Sequence, residues 1–240
     1  MRRALLRYTL LALVIVGVAV LAVWWQWREA PANKVPRMLQ EFGDLGTEGF
    51  ITIPFVADRS RWDAEWDRLG PEAVPALCDA LNNPRLCNRY IVARRLGEIG
   101  DSRAVGPLCE ALQDKKHFQW DVDDECLRAD AALALGKIGG SQATDALMGS
   151  MQDDSGRVRR YAATALGRLR DRRAFDPLIR SLCDPDWLVR EEAVAALGHL
   201  GDIRAVDAIV DVLARDRLSG IQENGRRALR QLGVKSAEEP

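Results

Sequence analysis

Four of the five cysteines in this chain are spaced in a way that favours disulfide chemistry. Cys78 and Cys109 occupy equivalent positions in two successive amphipathic segments, and Cys87 and Cys126 begin the segments that follow them. If the two segments of each unit face each other, the cysteines form two bridges, Cys78–Cys87 and Cys109–Cys126. Loops of this size imply a stabilisation of about 3 kcal/mol each in the chain-entropy description. The alternative is that these cysteines are reduced, small apolar residues of the core.

The remaining residues offer little catalytic chemistry. Cys183 has no equivalent partner, and we expect it to be buried and unreactive. A metal site is disfavoured, because the chain has two histidines and no Cys-x-x-Cys pair. Phosphate-binding glycine loops, Gly-x-Ser-x-Gly and His-Glu-x-x-His are also missing from the sequence. We therefore expect no catalytic residue, no metal, no cofactor and no enzymatic activity.

An aromatic insertion is the second group of interest. Residues 115–124, KKHFQWDVDD, interrupt an otherwise regular spacing and contain His117, Phe118 and Trp120. Insertions of this kind emerge on one face of a repeat protein and often bind partners. Together with Trp187, which begins a later helical segment, they are our candidates for binding a protein or peptide partner. The alternative is that Phe118 and Trp120 fold back over the adjacent groove.

The elements that position these residues are helical repeats. Leu-Gly pairs recur at spacings of 39, 31 and 31 residues, within the range of solenoid repeats. The pairs are Leu96-Gly97, Leu135-Gly136, Leu166-Gly167 and Leu197-Gly198, and Leu229-Arg230 stands at a fifth position. Each unit has one segment with apolar residues at i, i+3, i+4 and i+7, followed by one alanine-rich segment. We predict two helices per unit, which bury their apolar faces by stacking on neighbouring units.

The ends of these helices are also predicted by residue type. Each Leu-Gly glycine is expected just after the end of its helix, where a positive φ favours glycine. The aspartates that follow, Asp101, Asp171 and Asp202, are expected to cap the N-terminus of the next helix.

The two most regular units, residues 158–182 and 189–213, resemble the HEAT-like repeats first described in phycobilin lyases. The resemblance covers about residues 71–233 and implies an all-α fold, a right-handed α–α superhelix or HEAT-like solenoid. It also implies that an aspartate of the turn between two helices pairs with an arginine early in the second helix. The matching pairs are Asp153 with Arg159 and Asp184 with Arg190, whereas Gln222 replaces the arginine in the last unit. We expect this ladder to be structural.

The N-terminal part predicts a membrane anchor. Residues 8–27 form one apolar run that ends in three tryptophans, and about 20 helical residues span a bilayer core of about 30 Å. Arg2, Arg3 and Arg7 precede the run, which predicts a cytoplasmic N-terminus and exported repeats. The alternatives are a signal peptide that is cleaved after Ala32 and a buried helix of a soluble protein.

These patterns predict how the chain divides into domains and leave two alternative functions. The expected parts are a cytoplasmic tail (1–7), a transmembrane signal anchor (8–27), a linker (28–59), a HEAT-like repeat domain (60–233) and a tail (234–240). The expected protein is a single-pass membrane protein whose extracytoplasmic repeats are a scaffold for a protein or peptide partner in the cell envelope. The alternative is a lyase-like or chromophore-handling subunit that uses the groove of the solenoid. A lone reduced, reactive cysteine with His117 nearby would favour this alternative, and two disulfides would weaken it.

Nucleic-acid binding is not expected, because the net charge of the chain is −1. A local basic run nevertheless surrounds the most regular repeat and consists of Arg157, Arg159, Arg160, Arg168, Arg170, Arg172 and Arg173. We interpret this run as a solvated face with ion pairs to Asp153, Asp154, Asp171 and Asp176.

Overall fold

The computed structural model describes residues 68–83, 89–115 and 124–234, which form helices joined by turns and short 3-10 segments. The helices are α1 (Val74–Leu81), α2 (Arg89–Ile99), α3 (Val105–Leu112), α4 (Asp124–Ile138), α5 (Ser141–Ser150), α6 (Gly156–Leu169), α7 (Phe175–Ser181), α8 (Trp187–Leu200), α9 (Val206–Arg215) and α10 (Ser219–Gln231). The chain divides into two units, residues 1–76 and 77–240, and the second unit contains the stacked repeats. Odd-numbered helices are the first helices of successive repeats and even-numbered helices the second. The predicted all-helical repeat architecture is confirmed.

The predicted anchor at residues 8–27, the linker at 28–59 and the cleavage position after Ala32 lie outside the described residues. Within the described ranges, no helix has both the length and the apolar character that crossing a membrane requires. The longest helix of these ranges, α4, has 15 residues, whereas a spanning helix needs about 20.

Aspartate caps start the first helices of three repeats, as predicted. Asp202 accepts a hydrogen bond from the backbone N–H of Arg204 at 3.1 Å and begins the 3-10 segment Ile203–Ala205 that leads into α9. The Arg204 side chain closes on the same carboxylate, with Nη2 2.6 Å from Oδ2. The other two caps of this kind are Asp101 with Arg103 and Asp171 with Arg173.

We expect the substitution Arg204→Ala to raise the pKa of Asp202. The side-chain hydrogen bond from Arg204, helped by the one from its backbone N–H, holds the pKa of Asp202 at about 2. Because this folded-state pKa is lower than the unfolded value of about 3.9, the carboxylate stabilises the fold above about pH 4. That contribution is lost as the pH falls toward 2.

The backbone donor remains in the Arg204→Ala variant, so the pKa of Asp202 should rise only part of the way to about 3.9. Carboxyl NMR titration measures it. The Arg103→Ala variant is the control, because Arg103 binds the capping aspartate of a different repeat, Asp101. An unchanged pKa of Asp202 in the Arg204 variant would show that the cap is not formed as described.

The glycines of the Leu-Gly pairs lie inside the second helices, and the prediction that they follow the helix end is wrong. Gly167 is part of α6, and a Cβ added to it would lie 2.7 Å from the Cα of Ala196 in α8. The equivalent pairs are Gly97 with Ala134, Gly136 with Ala165 and Gly198 with Ala228. These glycines are required by the close approach of two helices and not by a positive φ. On α10 the exposed Arg230 takes this position, and no later helix among the described residues packs against it.

Residues with positive φ come three positions later, where the helices end. They are Gly100, Gly139, Arg170, Gly201 and Gly233. At the end of α8 the backbone N–H of Gly201 donates to the carbonyl of Leu197, which satisfies an otherwise unpaired acceptor of the last turn. The repeat therefore uses two glycines for two different reasons, and Arg170 is an exception at the second position.

The second helices α2, α4, α6, α8 and α10 pack side by side, and we refer to them as the second-helix row. Their leucines from the Leu-Gly pairs are fully buried, as are large apolar residues of the first helices. The latter include Leu108, Leu147, Leu178 and Ile209. The first helices thus cover one side of the row, and polar side chains occupy the side that they leave open.

Candidate functional site

An arginine–aspartate ladder joins successive repeats, with partners that differ from the predicted ones. Arg159 of α6 donates from Nε to Asp184 of the following repeat at 2.8 Å, and from Nη2 at 2.8 Å. Its predicted partner, Asp153, is contacted only through its backbone carbonyl, which accepts from Arg159 Nη1 at 2.8 Å. The ion pairs of the ladder are Arg89–Asp114, Arg128–Asp153, Arg159–Asp184 and Arg190–Asp216. The two residues of each pair are 25 or 26 positions apart in the sequence, and the sequence analysis did not predict this pairing.

Three ladder aspartates, Asp153, Asp184 and Asp216, also accept a hydrogen bond from the backbone of the turn in which they lie. Asp184 accepts from the backbone N–H of Asp186 at 2.9 Å. Burial alone would raise the pKa of Asp184, but the hydrogen bonds from Arg159 and from the Asp186 backbone outweigh it and the pKa is lowered. In the last repeat Gln222 keeps only the contacts within its own repeat, to the carbonyls of Leu213 and Asp216 at 2.7 and 2.8 Å. The ladder is therefore a structural connection between repeats.

A second polar group, which the sequence did not reveal, lies on the second-helix row. Cys126 of α4 lies 3.0 Å from Nη1 of Arg157 on α6, measured from its Sγ atom. One turn further along α4, Asp130 is buried and its carboxylate accepts from Nη2 of Arg94 on α2 at 3.2 and 3.3 Å. We refer to Cys126, Asp130, Arg94 and Arg157 as the α4 polar cluster. Three neighbouring helices contribute to it.

Burial decides the electrostatics of this cluster. Desolvation raises the pKa of Asp130, and it exceeds the opposite effects of Arg94 and Arg157. Both arginines remain substantially accessible to solvent, with 46% of the Arg94 side chain and 44% of the Arg157 side chain exposed. The carboxylate of Glu125 is 4.0 Å from Arg157 and accepts a hydrogen bond from Ser155 at 2.7 Å. The cluster thus joins a thiol, a buried carboxyl group and two accessible cations.

Two glutamates, Glu191 and Glu192, lie on α8 in the same row. Arg160 of α6 reaches Glu192 of α8 at 3.5 Å, and Thr164 donates to the same carboxylate at 3.0 Å. Glu191, beside it, accepts from Asn224 of α10 at 3.3 Å. Desolvation, together with the neighbouring carboxylates, raises the pKa of Glu191. The glutamates of α8 therefore face arginine and threonine on α6 and asparagine on α10.

The structure does not support the predicted disulfides. Cys109 and Cys126 remain thiols, as does Cys78, while Cys87 lies outside the described residues. The two predicted partners face different neighbours, because Cys109 Sγ lies 4.0 Å from the backbone carbonyl of Gln142 on α5, whereas Cys126 contacts α6. Burial raises the pKa of Cys78 and of Cys109, so both thiols are poor nucleophiles.

Two further expectations concern exposed positions. Cys183 is exposed and not buried, with its Sγ atom 3.5 Å from Nη2 of Arg215. Trp187 is the first residue of α8 and exposes 47% of its surface. The insertion with His117, Phe118 and Trp120 lies outside the described residues, so its role in binding stays a prediction.

Family models match two parts of the chain. Residues 150–230 match the model of HEAT repeats, and residues 89–114 and 127–153 match the PBS lyase HEAT-like repeat. The chain thus contains HEAT-like repeats, and two of them are of the PBS lyase type. No curated protein matches the chain.

Solved structures give a more particular likeness. The complex of CpcE and CpcF of phycocyanin lyase from Nostoc sp. PCC7120 is 28% identical, with a TM-score of 0.59. The match covers 67% of this chain and 65% of that chain, so this chain spans less than two thirds of the lyase chain. A designed armadillo repeat protein in complex with the peptide (KR)4 is 17% identical with a TM-score of 0.54 over 81% of this chain and 91% of that chain, which shows the fold alone.

These findings correct two predictions. The prediction that the chain is not an enzyme is wrong, because its repeats match the PBS lyase type and a phycocyanin lyase. The predicted localisation, a single-pass membrane protein with exported repeats, is also wrong. The finding against it is the similar solved structure, which is a phycocyanin lyase.

Proposed function

We propose that this chain is a lyase-type HEAT-repeat subunit that holds a bilin, a linear tetrapyrrole, on the open side of its second-helix row. The observation that carries the proposal is the α4 polar cluster, in which three adjacent helices present a thiol, a buried carboxyl group and two arginines. Two residues of the α4 polar cluster, Arg94 and Asp130, lie in the segments that match the PBS lyase repeat.

The chemistry of a bilin suits this cluster. A linear tetrapyrrole carries two propionate carboxylates, and a guanidinium forms paired hydrogen bonds with a carboxylate. Arg157 is the better candidate for this contact, because the carboxylate of Glu125 lies 4.0 Å away and leaves it N–H donors for a ligand. The pyrrole N–H groups need an acceptor, and the carboxyl group of Asp130 lies one helical turn from Cys126 on the same helix.

The state of Cys126 also favours the lyase-like function. Its thiol lies beside a guanidinium, which is the kind of electropositive environment in which a cysteine is reactive. A domain held together by two disulfides would have consumed this thiol. In the structure Cys126 forms no disulfide and is partly exposed on the surface that would hold the ligand.

Titration with biliverdin, a readily available bilin, tests the proposed ligand class. We expect its absorbance spectrum to shift on binding, with a dissociation constant of about 1–10 μM. The Arg157→Ala variant should bind at least about tenfold more weakly. The Arg226→Ala variant, which removes an exposed arginine of α10, is the matched control and should bind like the unmodified chain. Absence of a spectral change at about 100 μM protein would contradict the proposal.

Alkylation by iodoacetamide gives an independent readout of where the bilin lies. Bound biliverdin should slow the modification of Cys126, because the ligand would cover the α4 polar cluster. Cys183 is exposed after α7 and serves as an internal control whose rate should not change. Mass spectrometry of both sites measures the rates, and equal protection of the two cysteines would place the ligand elsewhere.

A second function, binding of a protein partner, rests on a different observation. The similar phycocyanin lyase structure is a complex of two chains. Trp187 is a large, exposed anchor at the start of α8, and tryptophan is among the residues that contribute most to interfaces. We propose that a protein partner contacts this end of α8 while the row holds the bilin, with residues 115–124 as a further contact.

A further inference from the structure

The turn between α6 and α7 carries three exposed arginines, Arg168, Arg170 and Arg172, within five consecutive residues. The sequence analysis expected ion pairs between this basic run and Asp153, Asp154, Asp171 and Asp176, and among the described residues Arg173 forms one of them, with Asp171. Arg128 and Lys115 pair with Asp153 and Asp154, and Arg173 pairs with Asp171. Among the described residues, no carboxylate lies within ion-pairing distance of the three arginines.

The neighbouring repeats do not neutralise this charge either. Asp202, whose pKa is lowered in part by Arg172, is already bound by Arg204 at 2.6 Å. Lys137 and His199 occupy the position of Arg168 in the repeats before and after, and both are exposed. A line of basic residues therefore follows one edge of three successive second helices, α4, α6 and α8. We refer to Lys137, Arg168, Arg170, Arg172 and His199 as the basic edge.

The backbone conformation of Arg170 is a second, independent indication that its side chain has a function. Its φ is +53°, and the equivalent positions at the ends of the other second helices are Gly100, Gly139, Gly201 and Gly233. A residue with a Cβ in this left-handed region costs about 1–2 kcal/mol relative to glycine. Strain of this kind is concentrated at functional sites. The side chain of Arg170 is exposed, and its guanidinium forms no hydrogen bond or ion pair with the residues that the structure describes.

We propose that the basic edge docks an acidic segment of a partner protein. Guanidinium groups form paired hydrogen bonds with carboxylates, and adjacent second helices are about 8–10 Å apart. An extended peptide advances about 3.3 Å per residue, so carboxylates at every third residue would meet successive repeats. A nucleic acid suits the edge less well, because Asp171, Asp176 and Asp202 flank it and would repel a continuous line of phosphates. This surface is separate from the α4 polar cluster and extends the proposed function.

Fluorescence anisotropy with a labelled octaglutamate peptide tests the proposal. We compare the unmodified chain with a triple variant, Arg168→Ala, Arg170→Gly and Arg172→Ala, at about 50 mM salt. The triple variant should bind at least about tenfold more weakly. The control removes the same charge from the last repeat, through Arg217→Ala, Arg226→Ala and Arg230→Ala, and should change binding less than about threefold. An equal loss in both variants would overturn the proposal, because it would mean that only net charge matters.

Two further measurements test whether the basic edge prefers a nucleic acid to an acidic peptide and whether the variants still fold. An eight-nucleotide thymidine oligomer that binds more tightly than octaglutamate would overturn the proposal in favour of nucleic acid. The single variant Arg170→Gly should keep or raise the thermal midpoint, which shows that the turn still folds while one guanidinium is missing. Biliverdin binding should be the same in the triple variant and the unmodified chain. A failure of this docking surface is thereby distinguishable from a failure of the proposed bilin site.

Discussion

Replacing Gly167 with alanine is expected to destabilise the repeat stack by about 2–3 kcal/mol. A Cβ at this position would lie 2.7 Å from Cα and 2.8 Å from Cβ of Ala196 in the next second helix. The obstacle is backbone of a buried helix, which cannot rotate away as a flexible side chain can. Either α6 and α8 separate, with loss of packing on both sides, or the helices are strained. Urea unfolding followed by circular dichroism measures the change.

Gly149→Ala is the matched control for this experiment. Gly149 lies inside α5, and a Cβ added there would have no atom within 4 Å. Alanine at this position should stabilise the chain by about 0.5–1 kcal/mol, because glycine has the higher conformational entropy in the unfolded state. If Gly167→Ala were as stable as Gly149→Ala, the close approach of the second helices would be wrong. The two variants separate the effect of helix propensity from that of helix contact.

Asp153→Ala should have an even larger effect, a loss of about 3–5 kcal/mol in the free energy of unfolding. Asp153 pairs with Arg128 at 3.1 Å, and the two side chains are only 6% and 9% exposed. Its carboxylate also accepts from the backbone N–H of Ser155 at 2.9 Å. Alanine leaves the Arg128 guanidinium buried without its counter-charge and leaves a backbone donor of the turn unpaired. Thermal and urea unfolding of the purified variant give the change in stability.

The adjacent residue provides the control. Asp154 forms an ion pair with Lys115 at 2.7 Å, which is shorter than the Arg128–Asp153 distance, but its side chain is 89% exposed. Because solvent and salt screen such a pair, Asp154→Ala should leave the free energy of unfolding nearly unchanged. Equal effects of the two substitutions would mean that the ladder does not contribute through burial. Such a result would also remove the reason for treating it as the connection between repeats.

Sequence periodicity was sufficient to predict the helices and some of the residues that begin them. Apolar residues at i, i+3, i+4 and i+7 identified the first helices, and the aspartates at Asp101, Asp171 and Asp202 identified three caps. These features depend on residues close in the chain, so residue type and spacing are informative. The Leu-Gly glycines were assigned to the wrong role for the same reason. A glycine in a helix contact and a glycine at a helix end look alike until the neighbouring helix is known.

The charged residues show more clearly which contacts could not be predicted from the sequence. The ladder was recognised as arginine and aspartate, but each arginine was paired with the aspartate of its own turn, six residues away. The structure pairs Arg159 with Asp184, because stacking places the second helix of one repeat beside the turn of the next. The same error affected Cys109 and Cys126, which were paired by equivalence of position although their side chains face different helices.

The amino-acid sequence by itself determined that this chain forms stacked helical pairs, since local propensity and the period of apolar residues act within each segment. It did not determine which polar side chains meet across segments. The α4 polar cluster joins residues 31 and 36 positions apart from three helices. Stacking also pairs Asp153 and Asp154 with Arg128 and Lys115, which removes two partners expected for the basic run. Only the tertiary structure decided these two surfaces, because distances between helices depend on the glycine contacts that bring the helices together.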